Sequence, residues 1–243
     1  MINYKKMDAC GNDFIAINYD NFKKINNPYI FAIKVCDRKN IGADGIITNL
    51  PSKNCDFKFL YINYMGYNVP FCGHAIRSLS FLSYIYGNKK NEMIIETEIG
   101  IRKTIIKELK EESAFIGLEF ENFEIGVRHY VKRVEDINNF DLENEIKEFF
   151  KNSDEHFNIY SEIELGKIAI RTWEYGHQKE ALSCATGSLA CALNYSKEKK
   201  LSYIEVIPKS KKPIFIEILK DKAILWSYIE ILHQGEIYES NYF

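Results

Sequence analysis

The hydrophobic positions of this chain fall into short blocks, and most blocks read as strands. Residues 14–18, 56–63, 93–98, 101–109, 167–174, 203–207, 214–219 and 223–232 are rich in Ile, Phe and Tyr. Such β-branched and aromatic side chains suit a pleated surface. Four segments break the rhythm with apolar residues at helical spacing. Residues 26–38 carry Pro28 near a first turn, and residues 73–87 set Ile76, Leu79 and Leu82/Ser83 along one stripe before Gly87. Residues 141–152 begin at Asp141 and turn Leu142, Ile146, Phe149 and Phe150 inward, and residues 185–200 finish in lysines. An early Pro or Asp, a terminal Gly and late basic residues are the end signals a helix uses.

The order of these elements repeats. A strand ending at Asn63 leads through a turn to Cys72 and the helix over 73–87; a strand ending near Glu174 leads through the turn 175–180 to Cys184 and the helix over 185–200. The stretches FCGHAIRSLSFL and SCATGSLACALN both keep a small residue directly after Cys and another two further on. This weak repeat of about half the chain predicts two similar mixed α/β domains. The polar stretch 108–114 marks the expected boundary, giving one domain over 1–112 with Cys72 and one over 113–243 with Cys184, the last strand being a candidate to return to the first domain.

Composition removes several function classes. With 46% hydrophobic residues in 243, the chain is long and apolar enough for real cores. A net charge of −2 with interspersed signs argues against a nucleic-acid surface, and the basic cluster at 209–212 reads as a solvated turn. No run approaches the ~20 apolar residues of a membrane helix, and no signal peptide is read at the N-terminus. A cytoplasmic protein is expected, so Cys10, Cys36, Cys55, Cys72, Cys184 and Cys191 should be reduced thiols. None forms a CxxC pair or has zinc-ligand spacing, so no metal is expected.

Two cysteines at helix starts carry the candidate chemistry. A helix N-terminus bears a partial positive charge and N–H groups without intrahelical partners. It stabilises a thiolate and offers a socket for a substrate carboxylate, while small following residues admit a ligand to the backbone. Two such turns face to face would hold one carboxylate with a thiol on either side of the adjacent carbon. An ionised thiol could then take a proton from one face while a protonated thiol delivers one to the other. Cys36, Cys55 and Cys191 read as small core hydrophobes; Cys10, beside Gly11 and Asn12, is ambiguous.

The residues reached resemble the diaminopimelate epimerase family of cofactor-independent amino-acid epimerases and racemases. MDACGNDFIAIN at 7–18, CDRKNIGADGIITN at 36–49, INYMGYNVPFCGHAIR at 62–77 and WEYGHQKEALSCATGSLA at 173–190 are similar, in order, to four motifs of that family. The resemblance implies an α+β fold of two pseudo-symmetric domains, each a curved, mostly antiparallel sheet around a central helix. It also implies inversion of an α-carbon without pyridoxal phosphate, other cofactor or metal, with diaminopimelate, on the route to lysine and cell-wall precursor, as substrate. Cys72 and Cys184 fall on the catalytic cysteines, His129 (in GVRH at 126–129) on a histidine near them, and Glu174 on a supporting acid. Asn12, Asn63 and Asn158 fall on substrate-contacting or supporting positions. Gly73-His74 and Thr186-Gly187 would offer backbone N–H groups to the α-carboxylate. The implied partner is a small amino acid, and a homodimer is expected at the level of the family.

The departures fall on recognition. Tyr175 stands where the family has an Arg for the substrate's far carboxylate, Val127 replaces an Asn, His74 replaces the Asn beside the first cysteine, and Ala75 and Ala185 replace glycines. A tyrosine hydroxyl cannot reproduce a bidentate Arg–carboxylate contact. Either Arg128 or Arg171 compensates and diaminopimelate remains the substrate, or the substrate is another amino acid lacking that carboxylate. A binding relative without turnover and a thiol redox protein are the remaining alternatives.

Overall fold

The computed structural model describes residues 1–175 and 179–238. The expected strands are present with small boundary shifts, and polar-rich strands absent from the sequence reading join them. The chain divides into two compact units: Met1–Leu118 with the described part of Tyr228–Phe243, and Glu119–Ser227.

Unit 1 contains β1 (Ile2–Ala9), β2 (Asn12–Ala16), α1 (Tyr19–Phe22), α2 (Pro28–Val35), β3 (Gly45–Leu50), β4 (Phe57–Asn63), α3 (Gly73–Ile85), β5 (Glu92–Thr97), β6 (Gly100–Leu109) and most of β7 (Ser113–Glu121). It also takes the second part of the last strand, β14 (Lys222–Ile237). Hydrogen bonding runs β1-β2-β3-β4-β5-β6-β7-β14, and β14 pairs back onto β1 from Ala9↔Ile229 to Ile2↔Ile237, closing a barrel. A closed ring leaves no exposed edge. Most neighbours are antiparallel; β2–β3 and β4–β5 are parallel.

Through this ring passes α3, packed against β1, β2, β3, β4 and β6. The sequence predicts one apolar stripe on it, yet every residue from Gly73 to Ser83 is buried. Enclosure on all sides explains the difference, and it raises the question of where the polar side chains find partners. Ser78 Oγ donates to the His74 carbonyl and Ser80 Oγ to that of Ile76, both at 3.1 Å, and Ser80 also meets Thr104 Oγ1 at 2.8 Å. Back-bonding of this kind lets hydroxyls sit in a core helix without an unpaired group.

Unit 2 contains β8 (His129–Arg133), α4 (Leu142–Phe149), β9 (His156–Glu164), β10 (Lys167–Glu174), β11 (Lys179–Ala181), α5 (Ala185–Lys199), β12 (Tyr203–Ile207) and β13 (Ile214–Ile218). Its strand order is β14-β13-β12-β10-β9-β8, with β11 on β10. α5 packs against β8, β9, β10, β12 and β13, and Ala185–Ala192 are buried along its first half. Lys200 ends α5 in the left-handed region, φ 57°, the usual way to stop a helix, though glycine more often takes that place.

The two units divide after Leu118, inside β7, a few residues beyond the polar stretch 108–114. The polar residues there are the turn between β6 and β7, closed by the Lys110 N–H on the Ser113 carbonyl at 2.8 Å. A hairpin whose two arms pair cannot act as a linker. β14 serves both units, pairing β13 from Ala223 to Trp226 and β1 from Ile229 onward.

Candidate active site

In unit 1, Cys72 is the N-cap of α3, extended at φ −151°, ψ 115°, and half-buried; its carbonyl accepts from the Ile76 N–H at 3.0 Å. Its thiol makes no capping bond to the helix. In the next turn Arg77 is fully buried, at 0% exposure, and His74 nearly so at 2%. Arg77 Nε donates to the Gly73 carbonyl at 3.0 Å, and an Arg77 terminal nitrogen lies 2.7 Å from His74 Nδ1. Since a guanidinium only donates, Nδ1 is the acceptor and the His74 proton sits on Nε2. Burial, reinforced by the Arg77 charge, pushes His74 well below the usual histidine range, so it stays neutral.

Of the two candidate asparagines of unit 1, one braces backbone. Asn63, last residue of β4, is buried and its Oδ1 accepts from the Met65 and Tyr67 N–H groups at 3.1 and 2.9 Å, holding the turn that leads to Cys72. Asn12 opens β2. The turn before it uses Cys10 at φ 56° and Gly11 at φ 95°, the left-handed pair a two-residue hairpin demands.

In unit 2, Cys184 is the N-cap of α5 at φ −127°, ψ 115°, and 6% exposed. Its Sγ accepts from the Gly187 N–H at 3.4 Å and lies 3.4 Å from Thr186 Oγ1. Burial raises this thiol well above the ordinary range. The charge of Glu174, which also hydrogen-bonds it, adds to that, while Thr186 and the Gly187 N–H act in the opposite direction. Cys184 is therefore held protonated.

Behind Cys184 lies a polar cluster that the sequence reading named in part. Asn158 on β9 is wholly buried and stands opposite Thr172 of β10. Its Nδ2 lies within 3.1 Å of the Tyr130 and His156 carbonyls and 3.0 Å from His129 Nδ1, and its Oδ1 accepts from Thr172 Oγ1 at 2.9 Å. Two carbonyl neighbours fix which end of the amide is nitrogen. With Asn158 donating to Nδ1, the neutral His129 carries its proton on Nε2. Burial, helped by neighbouring His156, drives His129 down to about 3 against a weaker opposing effect of the Asn158 bond. The Nε2 is buried and finds no hydrogen-bond partner among the described residues. Asn158 is thus committed to holding His129 and the start of α5. A Cβ on Gly187 would come 2.8 Å from Thr172 Oγ1 and closer still to Asn158 Oδ1, so only glycine fits there.

Tyr175 follows β10, half-exposed, its ring tilted against Phe150 at 5.8 Å. Of the two candidate replacements for the missing Arg, Arg171 is committed: it bridges Glu180 at 2.7 and 3.2 Å and donates to the Ile137 and Phe140 carbonyls. Arg128 is exposed and paired with Asp154. Residues 176–178 of the turn before Cys184 lie outside the described residues. Arg77 and Thr172 were not singled out by sequence reasoning, although Arg77 lies within a quoted motif. Helical and strand spacing set the face of each, but only tertiary burial makes them part of a site. Among the described residues no group of three or more His, Cys, Asp or Glu could hold a metal ion, and no helix is long and apolar enough to cross a membrane.

Comparison with known proteins gives this arrangement a family. No protein-family model matches the chain. A diaminopimelate epimerase of Flavobacterium psychrophilum is 30% identical over 210 residues, covering 77% of this chain and 79% of that protein. The chain belongs to the diaminopimelate epimerase family. It is an isomerase-type enzyme. A second diaminopimelate epimerase, from Nitratiruptor sp., is 27% identical over 234 residues and is covered over 91% of its length, 89% of this chain. A putative phenazine biosynthesis PhzC/PhzF protein from Clostridium difficile matches in structure with a TM-score of 0.75 across 98% of this chain and 100% of that one. At 11% identity it shares the fold alone. The diaminopimelate epimerase family and the α+β epimerase fold are therefore those the sequence resemblance implied.

Proposed function

We propose that the protein inverts the α-carbon of a free amino acid by two-base thiol/thiolate chemistry without a cofactor, and that its substrate is diaminopimelate, LL to meso. One observation carries the reading. Cys72 and Cys184 occupy the same place in two units, each an extended N-cap of a buried helix. The first turn of each helix, at Gly73-His74 and at Thr186-Gly187, favours an anion such as the substrate's α-carboxylate.

In this reading a Cys72 thiolate takes the α-proton from one face and the Cys184 thiol delivers its proton to the other. The bond electrons stay on the α-carbon, spread into the carboxylate, until the second proton arrives. Glu174, bonded to the Cys184 thiol, keeps that sulfur protonated for its donor role and disfavours the thiolate left behind, which speeds the return to the resting state. The His129 Nε2–H is a buried donor with an open valence and bonds a polar substrate atom. Asn158 and Thr172 position it. Opposite protonation of two like groups, set by their surroundings, is the usual way acid and base roles are assigned.

The relatives' name supports diaminopimelate as substrate. A second reading, racemisation of an amino acid without the distal carboxylate, is favoured by Tyr175 and by the commitment of Arg171 to Glu180. Chiral chromatography of single L- and D-amino acids incubated with the protein, diaminopimelate isomers included, tests both. Interconversion of LL- and meso-diaminopimelate above all others supports the first, and faster inversion of another amino acid replaces it with the second. No inversion of any would overturn the function.

A further inference from the structure

Arg77 is a buried cation with no part in the chemistry described so far. Hydrogen bonds pin it against the first turn of α3, on the Gly73 carbonyl at 3.0 Å and on His74 Nδ1 at 2.7 Å, the two residues that follow Cys72. A full charge at zero exposure is costly unless the surroundings offset it, so its place calls for a reason. We propose that Arg77 is a positioning residue for Cys72: anchored by Gly73 and His74, its guanidinium supplies the fixed positive charge that favours the Cys72 thiolate and so makes this sulfur the resting base.

Three observations converge on this. Burial lowers Arg77 to about 10, which leaves it charged at neutral pH, and the groups whose negative charge draws it back up are Cys10 and Cys72. Coupling between two charges is reciprocal, so what those sulfurs do for Arg77, Arg77 does for their thiolates. Next, His74 contributes no competing charge, because burial and Arg77 keep it neutral. Finally, Arg77 Nε and the α3 N-terminus act from the same turn, adding a whole charge to the partial one of the helix. β1 and β6, both packed against α3, bring further titratable or charged groups. Cys10 and Asp8 lie at the turn between β1 and β2, where Asp8 Oδ1 accepts from the Gly11 N–H at 3.1 Å. Arg102 of β6 lies over the Phe71 ring at 5.3 Å.

The inference deepens the proposed two-base reading, and its test does not require turnover. The alkylation rate of Cys72 by iodoacetamide, resolved from the other five cysteines by peptide mass mapping, is measured against pH in the intact protein. Native Cys72 is expected to titrate below the ordinary cysteine value of ~8.5. Arg77→Gln is expected to raise that midpoint and slow alkylation at pH 7 about tenfold, with Arg77→Lys staying near the native profile. A native midpoint at or above the ordinary value, or equal profiles for native and Arg77→Gln protein, overturns the proposal. Should Arg77→Gln fail to fold, the native midpoint and the Arg77→Lys profile still decide. Inversion assayed on the same samples separates the two ideas: a depressed Cys72 midpoint with no inversion of any amino acid sinks the isomerase reading and leaves Arg77 its role.

Discussion

The surroundings of Cys72 and Cys184 share a backbone geometry and differ in charge. Cys72 and Cys184 cap their helices with ψ 115° in both cases. Beside the first stands a buried guanidinium, and beside the second a carboxylate that bonds the thiol directly. Their exposures differ too, Cys72 being half-buried and Cys184 at 6%. A duplicated local structure therefore need not duplicate chemistry. The helix end makes both sulfurs candidates for catalysis; burial, with the Glu174 charge adding to it, keeps Cys184 protonated, and the proposed role of Arg77 is to favour the Cys72 thiolate. That division suits a reaction needing one acid and one base.

The largest expected effect tests whether both halves are needed. Cys72→Ser and Cys184→Ser should each lower inversion by about 10² to 10⁴-fold, the range for losing a general acid or base, with helix content by circular dichroism unchanged. A single variant retaining native inversion would show that one half suffices. Next comes Gly187→Ala, which forces a Cβ against Thr172 and Asn158. Overpacking of this kind costs about 1–3 kcal/mol, so the urea midpoint should fall and inversion should drop with it.

Glu174→Gln sharpens the contrast between the charges. Removing the anion takes away one of the influences that raise Cys184, so its alkylation at pH 8 should quicken several-fold while that of Cys72 stays unchanged. Burial, the larger cause, remains, so Cys184 should still react more slowly than a free thiol.

The smallest effect concerns acid stability, and the units differ there as well. His129 falls from 6.5 to about 3 in the folded state. A base with a depressed value contributes stability that is whole above its unfolded value and fades as pH drops from 6.5 toward 3. In unit 1, burial works to raise Asp13, but bonds from Arg38 and Lys6 outweigh it and hold it below 3.8. Its contribution is whole above that value and fades only at lower pH. Thermal midpoints recorded from pH 7 to 3 should therefore decline less steeply in His129→Asn, while Asp13→Asn should alter the slope only below about pH 4.

Much of this arrangement was legible in the sequence because caps are local. Pro28, Asp141 and the cysteines lie where the helices begin, and the small residues after each cysteine mark a repeat. What was hidden depends on partners far along the chain. β1 carries Lys5 and Lys6 in mid-strand, and buried Lys6 pairs with Asp13 at 2.7 Å and donates to the Gly42 carbonyl. β8 has little apolar alternation, and it is held to β9 by a parallel pairing that sets His129 beside His156. The single stripe expected of α3 understated its burial, since the barrel around it closes through β14, whose partner β1 lies at the opposite end of the chain. Arg77 was passed over for the same reason. Nothing in its neighbours shows that a closed ring of strands will bury it.

The most direct test of the central claim follows the α-hydrogen itself. The protein is incubated in D2O with LL-diaminopimelate, and mass spectrometry reads deuterium in substrate and product as inversion proceeds. Two sulfur bases on opposite faces predict deuterium at the inverted carbon of the product, with little in the recovered substrate early in the reaction, and loss of this pattern in both Cys→Ser variants. Inversion that retains the original hydrogen, or exchange undiminished without either thiol, would contradict the account.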